Sequence, residues 1–527
     1  MNLKESPNNL LIRKAVFWGI FGLIIVGIYL QTEGIGKDSF FIDELYHVYA
    51  AKSLNENHTL SLPSGKLYAR ASIYTYLVSL SFKIFGISEF SARLPSVVCG
   101  LLYLSFYYYI ITKLFNSKIA ILSTFMLMFS YMQIHFTKDC RMYSIMQFSY
   151  LGMVYFFYKI ISGWMPEAGI FKFGSTRFFS FANLLFMVSF SLTAWISYKL
   201  HLLSLLFFPS ALIFLSLVGI ESICKKKYSN RIRLVLIVYG LFAGLAIAMY
   251  LLRRPLSDLY EHYLFLPEWS KERADHFLFY IGVLKHETLL LWLLIPIGAG
   301  ISIYRFGRPA ICILSFFAIP FLILSALPLK APRYIYHIYP LTFIFIAVTT
   351  LTLNRKVVAK IYSYGFRRKE LMEGLWMLSI VLFIGFNIAN SHSESKMNLP
   401  VKPDWKQVAF VMREKLKSDD IVVSDNPIAT KFYLGRVDYV IDENLLQISQ
   451  LSANRSLNGS WLDLYTNAVH ITNVEDLDNV SAGNNKVLIF LGHRGRGFEE
   501  IIQYIRKTYR PIDENISDKR INVYQKK

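Results

Sequence analysis

Phe40-Phe41-Ile42-Asp43-Glu44-Leu45-Tyr46 sets two adjacent carboxylates shortly after an apolar run near residues 15–30. Acidic side chains at the edge of a bilayer are costly unless they are solvated or line a protein cavity, so the pair points to chemistry. A solvated loop that merely contains Asp-Glu fits those residues equally, and their surroundings decide between the two. Of the 527 residues, 54% are hydrophobic. Runs at 234–252, 277–303 and 311–327 are apolar over the ~20 residues that cross a hydrocarbon core. They are continuous rather than alternating, so they read as helices and not barrel strands. The chain is therefore expected to be a polytopic α-helical membrane protein. No small-residue cleavage site follows the first run, which reads as a retained helix.

The 56 Lys and Arg against 36 Asp and Glu leave a net charge of +20. The basic residues sit in short loops between apolar runs, the positive-inside pattern, so a nucleic-acid partner is not implied. With Lys4, Arg13 and Lys14 in the cytoplasm, alternation puts Lys225-Lys226-Lys227, Arg231 and Arg233 inside too. Arg355, Lys356, Lys360 and Arg367-Arg368-Lys369 follow the same side. That topology puts Asp43-Glu44 outside, in a first outer loop over 31–92. The segment 73–85 reads as a helix on the outer interface, because as a span it would turn the two strongest basic clusters outward. About eleven or more spans are expected, near 15–31, 94–112, 119–135, 144–161, 178–195, 200–220, 234–252, 277–303, 309–327, 335–353 and 372–389. Cys99, Cys140, Cys224 and Cys312 are scattered without a CxxC, which indicates neither a disulfide framework nor a thiolate zinc site.

After Asn390 the composition turns polar, and Pro400 and Pro403 mark a linker. Trp405 to Leu416 has helical spacing. Residues 421–423, 439–441, 487–491 and 521–524 read as strands, and 498–505 as a helix. The division expected is a membrane module over 1–390 and an extramembrane α/β domain over 391–527, which an odd number of spans places outside.

With one topology imposed, the unusual polar residues gather on the outer face: Asp43-Glu44, Arg70, Lys138-Asp139 with Arg141 and Tyr143, the 253–276 loop, and Lys330-Ala331-Pro332-Arg333-Tyr334. Cations beside carboxylates at headgroup depth suit an anionic lipid substrate and a reaction that needs a base, and the planar guanidinium matches phosphate oxygens. Taken singly, each arginine reads equally well as a snorkelling anchor. A transporter or lipid flippase is the non-enzyme alternative, but that class tends to carry its ionisable groups at mid-membrane.

Asp43-Glu44, then Tyr68-Ala69-Arg70 leading into Tyr74-Thr75-Tyr76-Leu77, then Ser91-Ala92-Arg93-Leu94-Pro95-Ser96, resembles the polyprenyl-phosphate-sugar-dependent glycosyltransferases of GT-C fold. Protein O-mannosyltransferases and lipid A aminoarabinose transferases are members. Thr137 to Tyr143 looks like the family's acidic-x-Arg-x-Tyr motif, and Lys330 to Pro340 like its late Arg-Tyr segment; the likeness covers about residues 15–350.

The resemblance implies transfer of a sugar, with inversion, from a polyprenyl-phosphate donor to a lipid, glycan or protein acceptor outside the membrane, in a bacterial inner membrane. A lipid-linked glycan ligase or polymerase is the neighbouring enzyme reading. Asp43 matches the family's essential aspartate and is expected to act as base, with Glu44 and Asp139 as further catalytic carboxylates. Arg70, Arg141, Lys330, Arg333 and Tyr334 are expected at the donor phosphate. Some relatives bind a divalent metal through a Glu and a later His. His262 looks like that His, but Ala69 stands in the place of the Glu, so the residues are compatible with a metal without requiring one.

Overall fold

The computed structural model describes residues 7–164, 181–224, 239–240, 276–362, 402–483, 486–492, 498–512 and 520–526, together with 374, 383 and 385. The chain forms two compact units. One comprises Met1–Glu33, Ser96–Lys138 and Met142–Leu399; the other comprises Gly34–Pro95, Asp139–Arg141 and Pro400–Lys527. This differs from a cut near residue 390. Residues 34–95 pack with the C-terminal domain, where polar side chains such as Ser39 and Glu89 find their partners.

In the first unit every expected span within the described residues is helical: α1 (Pro7–Thr32), most of α4 (Glu89–Leu114), α5 (Ser117–Met128) with α6 (Tyr131–Thr137), α7 (Tyr143–Trp164), α8 (Phe181–Leu200), α9 (Phe207–Cys224), α10 (Phe279–Thr288) with α11 (Leu294–Phe306), α12 (Arg308–Ala326) and α13 (Pro340–Tyr362). The expected spans at 234–252 and 372–389 fall outside the described residues, apart from isolated positions. Among the described residues five helices are long and apolar enough to cross a membrane, or six if α5 and α6 count as one bent span. That pair, expected as one straight segment, bends by 62°. Ser130 caps α6 by accepting the Gln133 amide at 3.4 Å, which interrupts the helical ladder. Helices α11 and α13 approach closely at Gly298, where a Cβ would overlap the Phe345 carbonyl.

In the second unit α2 (Ile42–Asn57) and α3 (Ser72–Phe85) pack as a pair. The 14 residues of α3 are too few to span a bilayer. Its Tyr76, Leu80, Ile84 and Phe85 are exposed while Tyr74, Val78 and Phe82 are buried, the two faces of an amphipathic helix. The tail forms a six-stranded sheet from β1 (Ile421–Ser424), β2 (Tyr439–Val440), β3 (Val469–His470), β4 (Val487–Leu491), β5 (Tyr509–Pro511) and β6 (Asn522–Lys526), in the order β3-β2-β1-β4-β6-β5. The pairs β1–β2, β1–β4 and β2–β3 are parallel, whereas β6 runs antiparallel to β4 and β5. Burial of all of β4 explains its unbroken apolar run. Strands β3 and β5, of two and three residues, are too short to show a period-two pattern.

Candidate active site

Helix α2 begins where Glu44 reaches back to accept the Phe41 amide at 2.8 Å. The same carboxylate accepts Arg93 Nε at 2.8 Å and Nη2 at 2.9 Å, and the Cys140 amide at 2.7 Å, with Lys402 Nζ at 3.3 Å. Arg93 spends its other N–H groups on the carbonyls of Ile35 at 2.8 Å, Asp38 at 2.9 Å and Ser39 at 3.0 Å, so all five of its donors are engaged. Its guanidinium also lies 5.3 Å from the Phe40 ring centre. Burial opposes the charge on Glu44, but Lys402 and Arg93 outweigh it and hold the carboxyl well below the usual carboxylate range. Lys402 closes the cluster by donating to Asp139 Oδ1 at 2.6 Å.

Asp43 stands in a different environment. Its side chain is 32% exposed, against 1% for Glu44. Arg141 Nη1 donates to the Asp43 carbonyl at 2.9 Å and sits 3.3 Å from Oδ2. One turn further along α2 is His47, buried, with Nδ1 2.9 Å from the Thr75 hydroxyl. Burial, then the nearby Arg141 and Arg70, push its pKa well below the ordinary value, so it is neutral at physiological pH. Arg70 is exposed at the corner between the Ser61–Leu67 bridge and α3. Ala71 makes that corner in the left-handed region at φ 49°, a conformation that costs a non-glycine residue ~1–2 kcal/mol.

The second unit thus holds Asp43, Glu44, Arg70, Asp139 and Arg141. It adds Arg93 and Lys402, which the sequence reading left without a role. Arg93 stands in a quoted motif, but its partners lie 49 residues or more away.

Lys330, Arg333 and Tyr334 belong to the helical unit. Lys330 is buried and donates to the Leu327 carbonyl at 2.5 Å. The Arg333 guanidinium lies 5.4 Å from the Tyr334 ring centre, and His201 is 6.4 Å from Tyr334 and 6.3 Å from Tyr143. Behind this turn Glu287, buried within an apolar span, accepts the Tyr339 hydroxyl at 2.7 Å and the Met132 amide at 3.1 Å. Glu287 was missed, and its signal was an acid inside a membrane-length run. His262 and its loop lie outside the described residues. Among the described residues no group of three or more His, Cys, Asp or Glu could hold a metal ion.

Residues 70–218 match the family model of dolichyl-phosphate-mannose-protein mannosyltransferases. No curated protein is similar enough in sequence to match the chain. In fold it is similar to ArnT from Cupriavidus metallidurans in the apo state, with a TM-score of 0.62 at 13% identity, covering 97% of this chain and 98% of that one. The same enzyme bound to undecaprenyl phosphate matches at 0.61 and 14% identity, with the same coverage. The archaeal oligosaccharyltransferase AglB from Archaeoglobus fulgidus, in complex with an inhibitory peptide and a dolichol-phosphate, matches at 0.59 and 11% identity, covering 97% of this chain and 74% of that one. The chain is a membrane protein built on the GT-C glycosyltransferase fold, with the mannosyltransferase family signature in residues 70–218.

Proposed function

We propose that this protein transfers a sugar from a polyprenyl-phosphate donor to a hydroxyl acceptor on the outer face of the membrane, with inversion and with Asp43 as base. The observation that carries this reading is the contrast between neighbouring carboxylates: Glu44 is enclosed by two cations, while Asp43 stays reachable and is held by Arg141. In the step proposed, the acceptor hydroxyl gives its proton to Asp43 as its oxygen bonds to the anomeric carbon. The bond from that carbon to the phosphate oxygen breaks, and the polyprenyl phosphate leaves with the electron pair. A departing phosphate needs cations, and Arg70 and Arg141 supply them in the unit that holds Asp43. Lys330, Arg333 and Tyr334 keep their expected anion-binding role in the helical unit. The description of the matched family and the lipid phosphates bound to two structures of the same fold support the donor class.

For Glu44 and Asp139, expected as further catalytic carboxylates, the shared ion pair with Lys402 supports a positioning role, holding the loop that carries Asp43. The site is assigned to the outer side of a bacterial inner membrane, where polyprenyl donors meet lipid, glycan or protein acceptors.

The test is release of free polyprenyl phosphate from a panel of radiolabelled polyprenyl-phosphate sugars, incubated with membrane extract as the acceptor source. Wild type should release it, and Asp43→Asn should be slower by about 10²- to 10⁴-fold, the usual worth of a general base. Equal release by the two proteins would remove Asp43 from the reaction.

A further inference from the structure

Besides the helix Pro427–Leu434, whose Phe432 ring lies 5.6 Å from that of Tyr49, the α/β domain meets α2 through a turn at residues 463–468. Asp463 is buried and closes the turn from inside: its Oδ2 accepts the Thr466 amide at 2.8 Å and the Thr466 hydroxyl at 2.6 Å, and its own amide donates to the Ala468 carbonyl at 2.8 Å. Lys431 Nζ supports it by donating to the Thr466 carbonyl at 3.1 Å. The tip is tied to the loop before α3. The Ser64 amide donates to the Tyr465 carbonyl at 3.0 Å and its hydroxyl to the Leu464 carbonyl at 2.8 Å, while Asn467 Nδ2 donates to the Ser64 carbonyl at 3.2 Å.

These bonds deliver the Tyr465 ring to 4.8 Å from that of Tyr46, which lies 5.8 Å from Tyr68. Tyr46 is three positions from Asp43 on α2, hence on the same side of the helix. Burial first, then Tyr465 and the Asp43 charge, raise its pKa well above the ordinary value, so the phenol keeps its proton. All three residues are partly buried and partly exposed. A contact that only had to seal two segments would favour residues without polar atoms. Three phenols side by side instead offer ring surface and hydroxyls together, the complement of a sugar ring with its C–H faces and hydroxyl rim.

We propose that Tyr46, Tyr68 and Tyr465 form a sugar-binding wall beside Asp43, so that the α/β domain supplies part of the substrate site. This deepens the transferase reading and rests on it. The bound sugar is that of the lipid donor or that of a glycan acceptor.

The test uses the full chain in nanodiscs, with wild type, Tyr465→Ala, Tyr465→Phe and Tyr465→Trp. The probes are bare undecaprenyl phosphate and the same lipid carrying mannose, glucose or aminoarabinose. If the wall holds the donor sugar, Tyr465→Ala weakens the best-bound sugar lipid by about 2- to 12-fold, the worth of one aromatic contact, leaves the bare lipid unchanged, and Phe and Trp retain most of the affinity. If it holds an acceptor glycan, the donor Kd is unchanged and the KM for acceptor in membrane extract rises by that factor. Unchanged Kd and KM in a folded Tyr465→Ala protein overturn the proposal. So does equal weakening of bare and sugar-bearing lipid together with a lowered Tm, which is what a packing role alone predicts. Wild type that binds no sugar lipid better than the bare one, with unchanged acceptor KM in Tyr465→Ala, overturns it too. Binding is read without turnover, so sugar-specific binding without release of polyprenyl phosphate counts against the transferase reading and not against the wall.

Discussion

Asp43 and Glu44 are one residue apart in sequence and opposite in circumstance. Glu44 → Gln removes the charge that Arg93 and Lys402 neutralise and leaves a buried guanidinium without its anion. A loss of about 3–5 kcal/mol is expected, as when one partner of a buried pair is removed, and chemical denaturation of the purified protein measures it. The pH dependence has a definite sign. The folded pKa of Glu44 lies below its ordinary value of 4.5, so the unfolded chain binds more protons as the medium is acidified. The stability it contributes is complete above about pH 5 and lost below it, as pH falls toward the folded pKa. Wild-type Tm should therefore fall more steeply between pH 6 and pH 4 than that of Glu44→Gln, and parallel curves would refute the assignment. Asp43 stood out in the sequence through its company, since Asp-Glu beyond an apolar run fits a solvated loop equally well until the cations and motifs around it are counted. Lys402 was not, since its partner Asp139 is 263 residues away and a lysine beside a proline linker looks like any solvated charge.

At the level of elements, α2 is fixed at its N-terminus by a residue from the tail. Tyr433, in the helix Pro427–Leu434, accepts the Phe40 amide at 2.7 Å and donates to Glu89 Oε1 at 2.8 Å, and Lys406 binds the same carboxylate at 3.0 Å. Tyr433→Phe leaves a buried amide without an acceptor, so a loss of about 1–3 kcal/mol is expected, read as a lowered Tm with partial loss of polyprenyl phosphate release. Helices of this protein were legible wherever periodicity or length made them so, from the long apolar spans to amphipathic α3. The bend between α5 and α6 was hidden, because a single Ser130 cap inside an apolar run leaves little mark and the Glu287 that holds the Met132 amide lies 155 residues away. Strands β3 and β5 were hidden for a simpler reason: they pair because their neighbours do, not through any pattern of their own.

For the whole molecule, the sequence suggested a membrane module with its catalytic loop and a separate tail, whereas residues 34–95 form one compact unit with 400–527. Composition marks where a chain turns polar, but it does not say which distant polar segments satisfy one another. A chain ending at Leu399 keeps Asp43, Arg70 and Arg141 yet loses Lys402, Asp404, Lys406, Tyr433 and Tyr465. Its release of polyprenyl phosphate should fall to the level of Asp43→Asn, and residues 34–95 should exchange amide hydrogens faster than in the full chain. Unchanged turnover would show that the tail is dispensable.

The bond between Phe40 and Tyr433 joins residues 393 positions apart. At a synthesis rate of about 5–20 residues per second, the loop bearing Asp43 waits roughly 20 to 80 s after emergence before the chain that completes it exists. Maturation is therefore timed by translation: the helices described between residues 7 and 362 have left the ribosome before Tyr433 exists to close the first loop, and a chain that stalls before that residue lacks the bond.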